Sequence, residues 1–557
     1  MIRRKYNDLD PNEIFMDSSN LPNFDRSQFE GRMERSVSSR VYFAVFAIFL
    51  LAIATISARA WFLQVKNHSQ YALLSATNRL RFSEIFSERG IIYDRSGKVL
   101  AENYADEAQG DFLKRKYADY DGLGHILGFV KYPQKDSAGF YYATKVAGVG
   151  GAEKIFDGYL SGLNGLNIVE IDALGHMVSK NAVQKAEKGR DIHLTVDAGL
   201  NEALFGAIKG TAQEIGFTGG AGAIMDIETG EVLALASYPE FNPQILTDGA
   251  DRRTIAGYGE DESLPYLNRV VSGLYTPGST VKLFLSAAAL NEKIIDPRKE
   301  IISTGYLEIP NPYDPEKSTR FNDWKAHGAV DMRRALAVSS NVYFFEIGGG
   351  YKSQPGLGID RIEKYARAFG YGLPISGSPF FAGPSGTIPS PSWKLSVFKE
   401  EWRLGDTYNT SIGQYGFEAT PMQALLAVSA VANGGKIVQP IIAKEELGLY
   451  PPKGTGIDPA HFSVVREGMR QAVTEGTAKG IYFSDLSIGA KTGTAEIGTR
   501  KLFVNSWIVG FFPYEKPKYA FVAVMERGPR ENTIGALYVM RQVMSWMKEN
   551  RPEYLAK

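Results

Sequence analysis

The stretch SGLYTPGSTVKLFLSAAALNEK, residues 272–293, places Ser279 behind Pro277-Gly278 and three positions ahead of Lys282, with an apolar, alanine-rich run after it. Pro-Gly suits an abrupt helix entry, and positions i and i+3 of a helix are neighbours on one face. The pattern predicts a helix over residues 280–291 with Ser279 at its N-terminus. A serine hydroxyl is a weak nucleophile until a base takes its proton. A lysine withdrawn from water gives up its own proton and can be that base. The Ser279 N–H, without an intrahelical partner at a helix start, can point at an oxyanion. A helix-capping serine beside a solvated lysine gives the same letters, so the pair gains meaning only in company.

Two further stretches supply it. In LAVSSNVYFF, residues 336–345, Ser339 offers a hydroxyl for proton relay, and Asn341 an amide that both donates and accepts. In GAKTGTAE, residues 489–496, Lys491 and the hydroxyls of Thr492 and Thr494 can bind a carboxylate. Gly493 on a strand removes the side chain that keeps another backbone away, so an extended substrate can lie alongside. The Thr494 N–H is the second candidate oxyanion donor, and a second cation near Lys282 helps to keep that amine neutral. Ser-x-x-Lys, Ser-x-Asn and Lys-Thr-Gly in this order form a recognised active-site set, far more specific together than singly.

Working outward, 557 residues exceed one ordinary core and suggest several domains. Lys+Arg and Asp+Glu both number 62, so net charge gives no general attraction to nucleic acid. With no cysteine, thiol catalysis, Cys-ligated zinc and disulfides are excluded. The six histidines lie in no H-E-x-x-H pattern, and neither a phosphate-binding loop nor a G-x-S-x-G elbow occurs.

Residues 41–58, VYFAVFAIFLLAIATISA, carry no charge. At about 1.5 Å per residue they nearly cross a hydrocarbon core of ~30 Å. Ala58-Arg59-Ala60 resembles a signal-peptidase site, but the apolar run is long and a polar tail precedes it, which favours an uncleaved anchor. Arg32, Arg35 and Arg40 before the run place the tail in the cytoplasm and the rest outside. The expected division is a tail at 1–40, an anchor at 41–60, a glycine-rich region at 61–190 and a larger domain at 191–557. In the third region, residues 87–105 read as strand, Asp94–Gly97 turn, strand, and residues 148–165 as a glycine turn entering a short helix. Strands are expected at 221–227 and 231–237, and within the runs 488–498, 503–513 and 518–528, with a closing helix at 533–549. Strands, then helices, then strands and a helix make an α+β class with an antiparallel sheet.

With these motifs the chain resembles the class B penicillin-binding proteins, peptidoglycan D,D-transpeptidases, from residue 41 onward. RGIIYDRSG (89–97) and GVGGAEKIFDGYLSG (148–162) are similar to that class's non-catalytic, dimerisation-type pedestal. DIETGEVLALASYPEFNP (226–243) and NTSIGQYGFEATPMQ (409–423) are similar to segments of its catalytic domain. WRLGDTYNTSIGQ (402–414), with SPSWK upstream, resembles the rod-elongation type, penicillin-binding protein 2.

The resemblance implies a membrane helix, a pedestal, and a transpeptidase domain whose central antiparallel sheet is flanked by helices. It implies that Ser279 attacks the penultimate D-alanine carbonyl of a stem peptide, with Lys282 as base and the Ser279 and Thr494 N–H groups holding the oxyanion. Ser339 and Lys491 pass a proton to the departing D-alanine, Asn341 orients Lys282 and the substrate, and Thr492 and Thr494 hold the terminal carboxylate. β-Lactams acylate Ser279, and the partners are a SEDS-type glycan polymerase and other elongation-complex proteins at the bacterial inner membrane. A non-catalytic penicillin receptor or scaffold, and a β-lactam hydrolase, are the alternatives. The latter lacks a Glu-x-x-x-Asn between Asn341 and Lys491.

There are two departures. The family's G-Q-G is here Gly413-Gln414-Tyr415-Gly416. Some elongation-type relatives carry a metal site with a cysteine between the first two motifs. That interval here holds Asp314, Asp323 and His327 but no cysteine, so no metal and no cofactor are expected.

Overall fold

The computed structural model describes residues 38–72, 80–106, 110–137, 141–171, 177–311, 314–498, 502–531 and 534–555. Contacts divide the chain into two compact units, one of Met1–Arg81 with Ile168–Lys180, the other of Phe82–Asn167 with Asn181–Lys557. The first unit carries helix α1 (Ser39–Trp61), the one helix among the described residues long and apolar enough to cross a membrane. None of its residues is buried against protein, as suits a helix whose whole circumference is apolar. The expected tail, apart from residues 38–40, lies outside the described residues, as do Arg32 and Arg35.

The second unit starts with a four-stranded sheet in the order β4-β1-β2-β3, from β1 (Ile92–Tyr93), β2 (Val99–Tyr104), β3 (Lys114–Tyr117) and β4 (Ile192–His193). The β1–β2 turn forms where expected. Asp94 accepts from the Ser96 N–H at 2.8 Å and the Lys98 N–H at 2.9 Å. The glycine-rich segment gives two short helices, Gly151–Ile155 and Asp157–Leu160. The first brings Glu153 between two arginines, Arg89 Nε at 2.6 Å and Arg115 Nε at 2.7 Å. All three side chains are at most 3% exposed. Glu153→Ala leaves two buried guanidinium groups without their shared anion. It is expected to destabilise this region by about 3–5 kcal/mol in denaturant melts.

The core of the unit is a five-stranded sheet, order β6-β5-β9-β8-β7, antiparallel throughout. Its strands are β5 (Gly219–Asp226), β6 (Val232–Tyr238), β7 (Gly489–Ile497), β8 (Phe503–Phe512) and β9 (Tyr519–Pro529). Both faces are covered, which is why its central strands read as near-continuous apolar runs rather than alternating ones. Phe521, Ala523 and Met525 pack with Leu204 and Ile208 of α2 (Ala198–Ile215) and with Met540 and Val543 of the closing helix, Ala536–Asn550. Val522 and Val524 face the opposite core, with Leu283 and Leu285 of α3 (Lys282–Asn291) and Leu425 and Val428 of α6 (Pro421–Ala432). Residues Lys282 to Leu290 of α3 are all buried.

The predicted helix start needs correction. Residues Gly278–Val281 form a 3₁₀ turn, and the α-helix begins only at Lys282. Ser279 therefore stands in a tighter turn, not at an α-helical N-terminus. Gly278, at φ +54°, sets the entry, and a Cβ there would lie 3.0 Å from the Thr494 carbonyl. The closing helix begins at Ala536, and residue 533 lies outside the described residues.

Candidate active site

Each of the three motifs lies on or beside an element that the core holds in place. Ser279 rides on the 3₁₀ turn, which packs on β7. The Trp507 indole of β8 donates to the Thr276 carbonyl at 3.1 Å, and the Gly278 N–H donates to the Gly413 carbonyl at 3.1 Å. Ser339 terminates α4 (Met332–Val338) in a left-handed conformation, φ +58°. A non-glycine residue there is strained by about 1–2 kcal/mol. Asn341 opens α5 (Asn341–Gly349). Lys491, Thr492, Gly493 and Thr494 lie on β7, which ends the sheet order and so leaves one strand edge open to an extended peptide.

The polar atoms converge on the Ser339 hydroxyl. Lys491 Nζ donates to Ser339 Oγ at 2.9 Å and to the Thr492 carbonyl at 2.7 Å. Lys282 Nζ approaches the same hydroxyl at 3.3 Å and donates to the Ser339 carbonyl and to Asn341 Oδ1, both at 2.8 Å. Both lysines are 0% exposed, whereas Ser279 is partly open and Thr494 exposed. Burial pushes the Lys282 ammonium down to about 7, with the Asp323 carboxylate pulling the other way. Burial, then the neighbouring Lys282, pushes Lys491 well below the usual lysine range. A pair of buried amines sharing one hydroxyl favours loss of a proton from each. Among the described residues no hydrogen bond joins the Ser279 hydroxyl to Lys282. The amine is held by Ser339 and Asn341.

Gly493 has close neighbours within the fold itself. A Cβ on it would lie 3.1 Å from both the Pro277 carbonyl and Thr280 Cγ2, and 3.2 Å from Trp507 Cβ. The absent side chain makes room for the turn carrying Ser279. Gly493→Ala is therefore expected to displace that turn and slow acylation about 10–100-fold with little loss of melting temperature, as read by penicillin-labelling rates.

The Thr492 hydroxyl donates to Thr477 Oγ1 at 2.7 Å, a partner the motifs gave no sign of. Tyr415, the departure from G-Q-G, has φ +64° and packs among Trp393, Phe398 and Trp402 with ring centroids 5.7–6.3 Å away. Of the three residues considered for a metal, His327 Nε2 stands 3.6 Å from Asp323 Oδ1, while Asp314 pairs with Lys317 at 3.0 Å. Among the described residues no three His, Asp or Glu side chains are grouped to hold an ion.

Comparison with known proteins bears on this geometry. The penicillin binding protein transpeptidase domain matches residues 220–545, and the penicillin-binding protein dimerisation domain matches residues 111–194. The chain is 30% identical to the peptidoglycan D,D-transpeptidase MrdA of Salmonella typhimurium, over 78% of this chain and 72% of that one. It is 27% identical to the MrdA of Acinetobacter baumannii, over 89% and 85%. Among solved structures, PBP2 of Pseudomonas aeruginosa in complex with WCK 5153 aligns with a TM-score of 0.70 at 27% identity, covering 86% of this chain and all of that one. A complex of PBP2 and MreC from Helicobacter pylori aligns with a TM-score of 0.70 at 25% identity, covering 84% and 99%. The chain thus belongs to the penicillin-binding protein transpeptidase family, among the peptidoglycan D,D-transpeptidases that include MrdA and PBP2.

Proposed function

We propose that this D,D-transpeptidase cross-links stem peptides through an acyl-enzyme on Ser279 during cell-wall elongation. The convergence of two buried amines on Ser339, beside the turn of Ser279 and the open edge of β7, carries the reading. A donor peptide lies along β7, its terminal carboxylate held by the Thr494 hydroxyl and by the Thr492 hydroxyl, which turns from Thr477 to donate to it. Lys282, neutral, takes the Ser279 proton as Oγ bonds to the carbonyl carbon of the penultimate D-alanine. The Ser279 and Thr494 N–H groups hold the oxygen that becomes negative. As the tetrahedral intermediate collapses, the bond to the terminal D-alanine nitrogen breaks. That nitrogen receives a proton through Ser339, supported by Lys491. Asn341 keeps the Lys282 amine in place. An amine from a second stem peptide then attacks the ester, forms the cross-link and returns Ser279 to its hydroxyl. A β-lactam enters the first half of this sequence and blocks the second.

Residues 61–190 form the pedestal and 191–557 the catalytic domain in this reading. α1 spans the cytoplasmic membrane, with the N-terminus inside the cell and the catalytic domain outside. Partners follow from the relatives. The Helicobacter pylori PBP2 was solved with MreC, and another structural neighbour belongs to a peptidoglycan synthase complex that coordinates polymerization and crosslinking. A SEDS-type glycan polymerase and other elongation-complex proteins are the partners proposed here.

The test is reconstitution of the full chain in membranes with a glycan polymerase and lipid-linked precursor. Cross-linked muropeptides and free D-alanine are expected, and penicillin stops both. Penicillin labelling without any cross-linked product would make the protein a receptor or scaffold instead.

A further inference from the structure

The second motif is gripped by three consecutive residues that belong to none of the three motifs, Asn322, which ends the strand Asp314–Asn322, and Asp323 and Trp324 after it. The Asp323 side chain is fully buried. Its Oδ2 accepts from the Ser340 hydroxyl and the Asn341 N–H, both at 2.8 Å, and from the Val342 N–H at 3.1 Å. The Ser303 hydroxyl donates to the same oxygen at 3.2 Å, and the Trp324 N–H donates to Oδ1 at 2.9 Å. On the near side of Ser339, the Trp324 indole donates to the Val338 carbonyl at 3.2 Å. On the far side, the Asn341 side-chain amide donates to the Asn322 carbonyl at 3.4 Å.

Ser339 is thus tied on both flanks, at Val338 and at Ser340–Val342, by one short strap. It is also the strained residue, and the one whose carbonyl and hydroxyl both face Lys282 Nζ. A left-handed serine persists only where its surroundings over-determine it, and the strap supplies that over-determination. A buried carboxylate against the first N–H groups of α5 also matches the positive end of the helix.

We propose that the strap is a positioning element for acylation, with Asp323 its principal residue. Acting through Ser339 and Asn341, it sets where the Lys282 amine stands, and its charge steadies that amine's proton. The proposal rests on Lys282 being the base. The ionisable groups facing Lys282 are Lys491 on β7, Asp323, and His327 in the strap's own loop, where Lys325 acts on His327. The strap makes no contact with the reacting atoms.

The test measures the second-order rate of Ser279 acylation by a fluorescent penicillin against pH, on the full chain in detergent, for three variants. Asp323→Asn keeps an oxygen for the N–H groups and loses the charge. Its plateau rate is expected to fall about 10-fold, and its acid limb to move to lower pH, because Lys282 loses the anion that favours its proton. Asp323→Glu keeps the charge and displaces the oxygen, so its rate falls with the limb unmoved. Trp324→Phe removes only the bond to Val338, so its rate falls several-fold with the limb unmoved.

Equal losses in Asp323→Asn and Asp323→Glu with neither limb displaced would reduce Asp323 to packing and overturn the proposal. So would wild-type rates in all three. Should Asp323→Asn fail to fold, a wild-type rate in Trp324→Phe is the overturning result. The wild-type limb by itself tests the base assignment, and the variants' rates and limb positions relative to it test the strap.

Discussion

Ser279→Ala is expected to abolish covalent penicillin labelling and to remove cross-linking, with melting unchanged. Loss of a catalytic nucleophile costs on the order of 10⁶ in turnover in serine enzymes of comparable logic. Here no second nucleophile shares the position. Ser339 is occupied by two lysine amines, and Thr280 donates to the Pro277 carbonyl at 2.9 Å and is buried. The substitution removes one partly exposed hydroxyl and alters no core contact, so gel fluorescence and a thermal melt together separate chemistry from folding. Residual labelling at a tenth of the wild-type level would mean that another residue attacks.

The second large effect concerns Lys282. Its ammonium is held near 7 by burial, so the fraction able to act as base rises as pH climbs through that value and then levels. Acylation at pH 5.5 is expected to run at about one thirtieth of its plateau. Lys282→Met is expected to lose about 10³-fold or more at every pH, with no acid limb left near 7.

The same shift has a consequence for stability. The folded-state value lies below the ~10.4 of an unfolded lysine, so the native state binds fewer protons. Stability from this group therefore rises from about pH 7 to pH 10, and below 7 the buried charge opposes folding. Lys282→Met removes that opposition, so the inactive variant should melt no lower than wild type in neutral or acid buffer. A variant that is inactive and also melts well below wild type would assign Lys282 a structural role.

Much of this arrangement was readable from the chain because it depends on local patterns. The apolar runs at 503–513 and 518–528 are strands buried on both faces, and the sheet has them within a residue of those limits. Ser279, Lys282, Ser339, Asn341 and Lys491 were readable because each chemistry-bearing side chain sits in a short signature of known spacing, and the fold brings four of the five into one hydrogen-bonded set. What was not readable depends on contacts between distant segments. The 3₁₀ turn arises because Gly278 must pass under the Thr494 carbonyl and beside Gly413, more than 100 residues away. Gly493 reads from the sequence only as a strand glycine that lets another backbone approach, and the contact of its Cβ side with Pro277 and Thr280 depends on a segment more than 200 residues away. Asp323 lies 16 residues before Ser339 in a polar stretch with no periodicity, so nothing local marks its carboxylate as a cap for α5. The Arg89–Glu153–Arg115 cluster joins three separate segments in the same way.

The central claim is a single activated hydroxyl at Ser279, and peptide mapping after exposure to a labelled penicillin tests it most directly. Trypsin releases VVSGLYTPGSTVK, residues 270–282, which contains Ser272, Thr276, Ser279 and Thr280. One adduct per chain on this peptide, placed on Ser279 by its fragment ions and absent from protein labelled well below pH 6 for short times, is the expected result. An adduct on another hydroxyl of the same peptide, on Ser339, or nowhere in the chain would contradict the account.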